Sequence, residues 1–239
     1  LAERGSKQRR QRLRQRFINP LSIRIPLWDP DPFLNRTWPL FSHLFTPLGL
    51  LLWLSAVVPA TVLAAVHWHE LTANLSDQLL SAHNLLLLWL VYPLIKALHE
   101  LGHAYAVKSG DGEVHEMGIM LLVLAPIPYV DATAAGAFRS KARRALVGAA
   151  GMLVELFLAA IAMALWVLIE PGLVRSIAFN VLFVAGASTL LFNGNPLLRY
   201  DGYYILADLI EIANLGNRSN QYWQWLAKSY LFGATTGER

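Results

Sequence analysis

Residues 85–107 read LLLLWLVYPLIKALHELGHAYAV. As one helix this stretch is long enough to cross a hydrocarbon layer of about 30 Å. Its second half nevertheless carries Lys96, His99, Glu100 and His103. The i, i+4 spacing puts His99 and His103 on one helical face, one turn apart, where two imidazoles can share one zinc ion. Glu100 lies beside them, placed to take a proton from water at the metal. A His-Glu-x-x-His string alone is a weak signal. Inside an apolar span it is stronger, because ionisable groups are costly there and mark function. The chain has no cysteine, so any metal must be held by His, Asp or Glu and no disulfide forms.

The surroundings agree with a membrane setting. Hydrophobic residues make up 55% of the 239 residues and charged residues 15%, against about 25% charged in soluble domains. The net charge of +4 is modest and uneven. Arg4, Lys7, Arg9, Arg10, Arg12, Arg14, Arg16 and Arg24 crowd the N-terminal end. Beside membrane spans such a run reads as a cytoplasmic anchor against anionic lipid, with no nucleic-acid partner. The chain opens at Leu1 without an apolar signal core, as expected of a piece of a longer protein. Residues 1–40 are basic and then broken by prolines, and read as an irregular juxtamembrane segment with Trp28 and Trp38 at headgroup level.

Four spans are expected, at about 44–66, 85–107, 146–169 and 176–198. Pro59 is a candidate kink in the first, and Pro93 can loosen the second one turn before the motif. Residues 117–130 are apolar but too short for a helical span, and contain Pro126 and Pro128. They suit a β-hairpin or re-entrant segment, or a loop on the surface. Residues 201–212 pattern as a short amphipathic helix. Residues 216–239 read as an aromatic interfacial segment or the start of a further span. The fold class is therefore an all-α polytopic membrane protein, with at least four transmembrane helices and a short re-entrant or β-hairpin segment after the second.

Basic residues set the expected orientation. The N-terminal cluster and Arg139, Lys141, Arg143 and Arg144 bracket spans one and two, while the 67–84 loop has no Lys or Arg. The N-terminus and the loop after span two are then cytoplasmic. Span two ends on that side and so does span four, which brings Asp201, just past its end, to the depth of the His pair. A hydrolytic zinc site takes three protein ligands and keeps one position open. On residues alone, Asp201 reads equally as the third ligand or as an N-cap of the following helix.

His-Glu-Leu-Gly-His in one span, with Asn-Pro-Leu-Leu-Arg-Tyr-Asp-Gly at 195–202 after a later one, resembles the site-2-protease family of intramembrane zinc metalloproteases. The similarity covers roughly residues 47–215. It implies one zinc per chain held by His99, His103 and Asp201, with Glu100 as general base, in a metalloprotease core over residues 41–215. Pro-Tyr-Val-Asp at 128–131 and Gly-Met-Leu-Val-Glu at 151–155 look like a bacterial branch of peptide zinc metalloproteases, some joined to a secretion-type adaptor. That implies a bacterial cytoplasmic membrane, a membrane-protein or peptide substrate, and a secretion adaptor as partner or missing domain.

The chain departs from the family at one point. Many members have Gly-Pro followed shortly by Asn in the third core span, where this chain has Gly151-Met152 and then Glu155. The substrate-binding role of that Asn is therefore not carried over. Glu155 is open to pairing with Lys96, binding a substrate amine, approaching the metal, or a protonated hydrogen bond within the bundle. Lys96 is open to pairing with Glu100, four residues on, or to stabilising an oxyanion. Asn193 and Asn195 are alternative donors for that task. His115 and Glu116 are left outside the site. A catalytically silent scaffold of an export assembly and a metal or solute transporter are the competing function classes. An intact Glu100 argues against the first, and the lack of an internal repeat against the second.

Overall fold

The computed structural model describes residues 22–73, 75–122, 125–212 and 214–231. The N-terminal basic cluster from Arg4 to Arg16 and the last aromatic residue of the C-terminal stretch, Phe232, lie outside them. The chain is an all-α polytopic membrane protein. Four helices are long and apolar enough to cross a membrane: Pro47–Val66, Ala82–Lys108, Lys141–Leu168 and Leu173–Asn193. The second, third and fourth carry polar groups inward. Lys96, His99, His103, Glu155, Asn180, Thr189 and Asn193 are buried, while Leu50, Leu51, Trp89, Leu94, Leu165 and Leu190 face outward. Reversing that pattern would leave charge in hydrocarbon, so the polar residues fix how these three spans are rotated.

The first span is apolar all round and starts at Thr46, whose Oγ1 accepts from Gly49 N. It leans on the third span, where Trp53 Nε1 donates to the Leu153 carbonyl at 2.9 Å. The second span is capped by Ser81 and runs through Pro93 as continuous helix to Lys108. The third is capped by Ser140, whose Oγ accepts from Arg143 N. The fourth begins as an α-helix over Leu173–Leu182 and widens into π-helical turns over Phe183–Asn193. Such turns concentrate at functional sites. Beyond it the chain turns sharply into the helix Asp201–Leu209, and a further helix, Leu215–Leu231, carries exposed Tyr222, Trp223, Trp225 and Tyr230.

Residues 117–122 and 125–130 form two paired strands. Strand β2 (Met117–Leu122) pairs antiparallel with β3 (Ala125–Val130). The proline-broken N-terminal segment is more ordered than its sequence suggests. Ser22–Trp28 adds as a third strand, β1, on the other side of β2, and Asp31–Phe41 is helical. Proline position explains why this sheet is possible. Pro26 lies in β1 and Pro126 and Pro128 in β3, both edge strands, whereas the central β2 has none and can donate on both sides.

The helix Asp31–Phe41 is held on the end of the second span. Asp31 Oδ1 accepts from Lys108 Nζ at 2.9 Å and from Val114 N at 3.2 Å, and Oδ2 accepts from Asn35 Nδ2 at 2.7 Å. Thr37 and Tyr105 share a hydroxyl hydrogen bond of 2.7 Å. Beneath these polar ties Leu34 packs with Ala104, Val107, Val114, Val147 and Ala150 in one buried cluster. Burial acts to raise the Asp31 pKa, but the Lys108 ammonium, the Val114 amide and the Asn35 amide outweigh it, and the carboxyl is held below its ordinary value.

Candidate metal centre

His99 and His103 project from the second span toward the third, one helical turn apart. Their Nε2 atoms lie 3.0 Å from each other. Asp201 reaches the same point from the first turn of its helix, with Oδ2 3.0 Å from His99 Nε2 and Oδ1 3.6 Å from His103 Nε2. One ligand atom from each of the three lies within 4.8 Å of the others. The loop before Asp201 makes this approach possible. Gly202 sits so close to the backbone of the preceding loop that a Cβ there would fall 2.7 Å from the Gly194 carbonyl carbon and oxygen. Asp201 is the first residue of its helix and carries its carboxylate to the imidazoles, while Tyr200 occupies the N-cap position.

The donor set fits a metal ion. His103 Nδ1 lies 2.6 Å from the Val147 carbonyl, an acceptor that fixes the proton on Nδ1 and leaves Nε2 bare. Two imidazole nitrogens and a carboxylate then present lone pairs to one point. Asp201 Oδ2 is buried and, near as it is to His99, has no aligned hydrogen-bond partner among the described residues. Hard and borderline cations take such N,N,O sets. Behind the pair, span three comes very close at Gly151. A Cβ on that residue would sit 2.5 Å from His99 Nε2 and 2.6 Å from His103 Nε2.

Glu100 faces away from Lys96. It is half-buried, and its Oε2 accepts from Val130 N at 3.0 Å, which ties the second span to the end of β3. Lys96 therefore does not pair with Glu100 despite the i, i+4 spacing. Its Nζ donates instead to Glu155 Oε1 at 2.6 Å. Glu155 has no exposed surface. Its Oε2 accepts from Asn193 Nδ2 at 3.1 Å and from Thr189 Oγ1. Its Oε1 also stands 3.1 Å from His99 Nδ1. Thus Lys96, Glu155 and Asn193 form one internal network behind His99. Asn195 is not part of it: its side-chain oxygen accepts from Leu197 N in the loop, at 2.9 Å.

Thr189 is the network member that sequence reading misses. A threonine within an apolar span carries no chemical signature, and its placement depends on the π-helical turns around it. His115 stays outside the site as expected. It is exposed, and the carboxylates of Glu113 and Asp29, each 3.1 Å away, raise its pKa. A cleft of about 460 Å³ beside the Asp201 helix is lined by Arg144, Arg199, Tyr203 and Asp208, and none of His99, Glu100, His103 and Asp201 contributes to it. Comparison of the chain with protein-family models, with curated proteins and with solved structures finds no match.

Proposed function

We propose that the protein is an intramembrane zinc metalloendopeptidase, hydrolysing peptide bonds of membrane-associated or transmembrane substrates near the cytoplasmic face. The observation that carries this reading is the convergence of His99 and His103 from the second span with Asp201 from the helix after the fourth, with Glu100 next to the first ligand. The paired motifs, His-Glu-x-x-His and Asn-Pro-Leu-Leu-Arg-Tyr-Asp-Gly, support it from the sequence. His99, His103 and Asp201 would hold the ion. A zinc ion in such a site polarises a carbonyl and brings the pKa of water to about 7.

The chain's own residues do the rest. Water adds to the carbonyl carbon of the scissile bond, and Glu100 takes its proton on the carboxylate oxygen that Val130 does not hold. The same oxygen returns the proton to the departing nitrogen as the C–N bond breaks. Val130 N fixes the rotamer of Glu100 for both transfers. Glu100 is held by the hairpin and separated from Lys96, so its basicity is not spent on an internal ion pair. A substrate helix must unwind to present its carbonyl, because helical carbonyls are already hydrogen-bonded.

The basic residues Arg139, Lys141, Arg143 and Arg144 support a cytoplasmic loop after span two. The His pair then lies about 8 to 14 Å below the end of span two, from the helical rise to Lys108. The bacterial-branch motifs support placement in a bacterial cytoplasmic membrane, with the N-terminus inside.

The test uses the full chain reconstituted in liposomes with a library of single-span peptides, cleavage being read by mass spectrometry. Wild type is expected to cleave in a zinc-dependent way. Glu100→Gln keeps size and hydrogen bonding, so it retains zinc and loses turnover by about 10²-fold or more. Undiminished cleavage by Glu100→Gln would end this mechanism and favour a scaffold or transporter.

A further inference from the structure

The mechanism above does not use Glu155, the most deeply buried charged residue of the spans. Three donors bond it, Lys96 Nζ at Oε1 and Thr189 Oγ1 and Asn193 Nδ2 at Oε2, and His99 Nδ1 stands 3.1 Å from Oε1. A carboxylate offers about four acceptor positions. Three are taken by hydrogen bonds within the protein, the fourth faces His99 Nδ1, and the side chain has no exposed surface. Glu155 therefore has no capacity left for a substrate amine. With its negative charge and no proton donor of its own, it is equally unsuited to an oxyanion.

His99 Nδ1 faces the opposite problem. It is buried and has no aligned hydrogen-bond partner among the described residues, with Glu155 Oε1 at 3.1 Å. An imidazole that ligates through Nε2 must carry its proton on Nδ1, and that proton needs an acceptor. For His103 the backbone supplies one, the Val147 carbonyl. For His99 the acceptor at hand is Glu155. Three further donors from two spans hold that carboxylate still, so its oxygen is a fixed reference for the ring.

We infer that Glu155 is a positioning residue for His99: it accepts the Nδ1 proton, sets the tautomer and rotation of the ring, and so aims Nε2 at the point shared with His103 and Asp201. Lys96, Thr189 and Asn193 hold Glu155 in place. The inference rests on the metal-site reading above.

Full-length protein in detergent separates the two ideas. The readouts are zinc affinity by chelator competition, the visible absorption of the cobalt(II) form, and thermal unfolding of the metal-free protein. Glu155→Asp keeps the charge for Lys96 but withdraws the oxygen from His99. It should weaken zinc binding by about 10- to 100-fold and shift the cobalt bands, with the metal-free unfolding temperature little changed. Glu155→Gln keeps the reach and an acceptor oxygen, and should recover part of that loss. Asn180→Ala removes the buried hydrogen bond to Asn84 between spans two and four without touching Glu155 or His99, and should bind zinc nearly as wild type does. Wild-type zinc affinity in Glu155→Asp would overturn the inference and leave the metal site standing. So would equal losses in Glu155→Asp and Asn180→Ala, which would mark a merely structural effect of disturbing the spans. If Glu155→Asp does not fold, the double variant Lys96→Met/Glu155→Met decides, since it removes the acceptor without leaving Lys96 unpaired: weakened binding with shifted cobalt bands supports the role, and wild-type behaviour overturns it. Failure of wild type to bind zinc at all would remove the metal-site reading and this inference together.

Discussion

Gly151 sets how closely span three can approach the imidazole pair. Its missing Cβ is the space that His99 and His103 occupy, and a methyl group there would overlap both Nε2 atoms. Neither ring can retreat, since His103 is tied to Val147 and His99 lies against Glu155. Gly151→Ala is therefore expected to displace the rings by several tenths of an ångström and cut peptide cleavage by about 10²-fold, measured on the same reconstituted peptides. Full activity in Gly151→Ala would mean the rings do not need their present positions. At this scale the sequence was informative where the relation is local. The i, i+4 spacing of His99 and His103 follows from helical geometry alone. The partner of Lys96 did not, because two acids were in range. The rotation of span three, set by which of its faces meets lipid, presents Glu155, while the hairpin draws Glu100 away.

The four spans were legible as elements because apolar length is a property of a continuous segment. The boundaries moved by a few residues, and the fourth ended at Asn193 where π-helical turns give way to the loop. The strand β1 was hidden. Its partners in β2 lie 89 to 100 residues on, and Pro26 reads as a breaker unless the edge position is known. The helix Asp31–Phe41 was masked by the prolines around it, although Pro32 falls in its first turn, where a missing N–H costs nothing. Asp31 is the anchor of that element. Asp31→Ala would leave Lys108 without its partner and cost about 3 kcal/mol, read as a lower unfolding temperature at pH 7. The pH dependence has a definite sign. The folded-state pKa of Asp31 is lowered, so its contribution is fully present above the ordinary value of about 4 and fades as pH falls through the lower folded value. The difference between wild type and Asp31→Ala should thus hold steady from pH 7 to 5 and shrink in stronger acid. A difference that grew on acidification would contradict this account of the Asp31–Lys108 contact.

Across the whole molecule, the site exists only because the ends of spans two and four meet. Charge distribution supplied the reason to expect it, and Asp201 at 3.0 Å from His99 is the corresponding distance. The sidedness of that meeting point can be tested directly, because the chain has no cysteine. Ser140 is exposed at the start of span three, and its loss as an N-cap costs only about 1 kcal/mol. Ser140→Cys should react with an impermeant maleimide from the cytoplasmic side alone. Labelling from outside would invert the proposed orientation and the depth of the site with it. The most direct measurement of the central claim is the zinc content of the purified chain, by mass spectrometry of the metal, in wild type and in Asp201→Ala. The account predicts about one zinc per wild-type chain and loss of most of it in Asp201→Ala, since two imidazoles alone make an incomplete site. Full zinc retention in Asp201→Ala, or none in wild type, would contradict it.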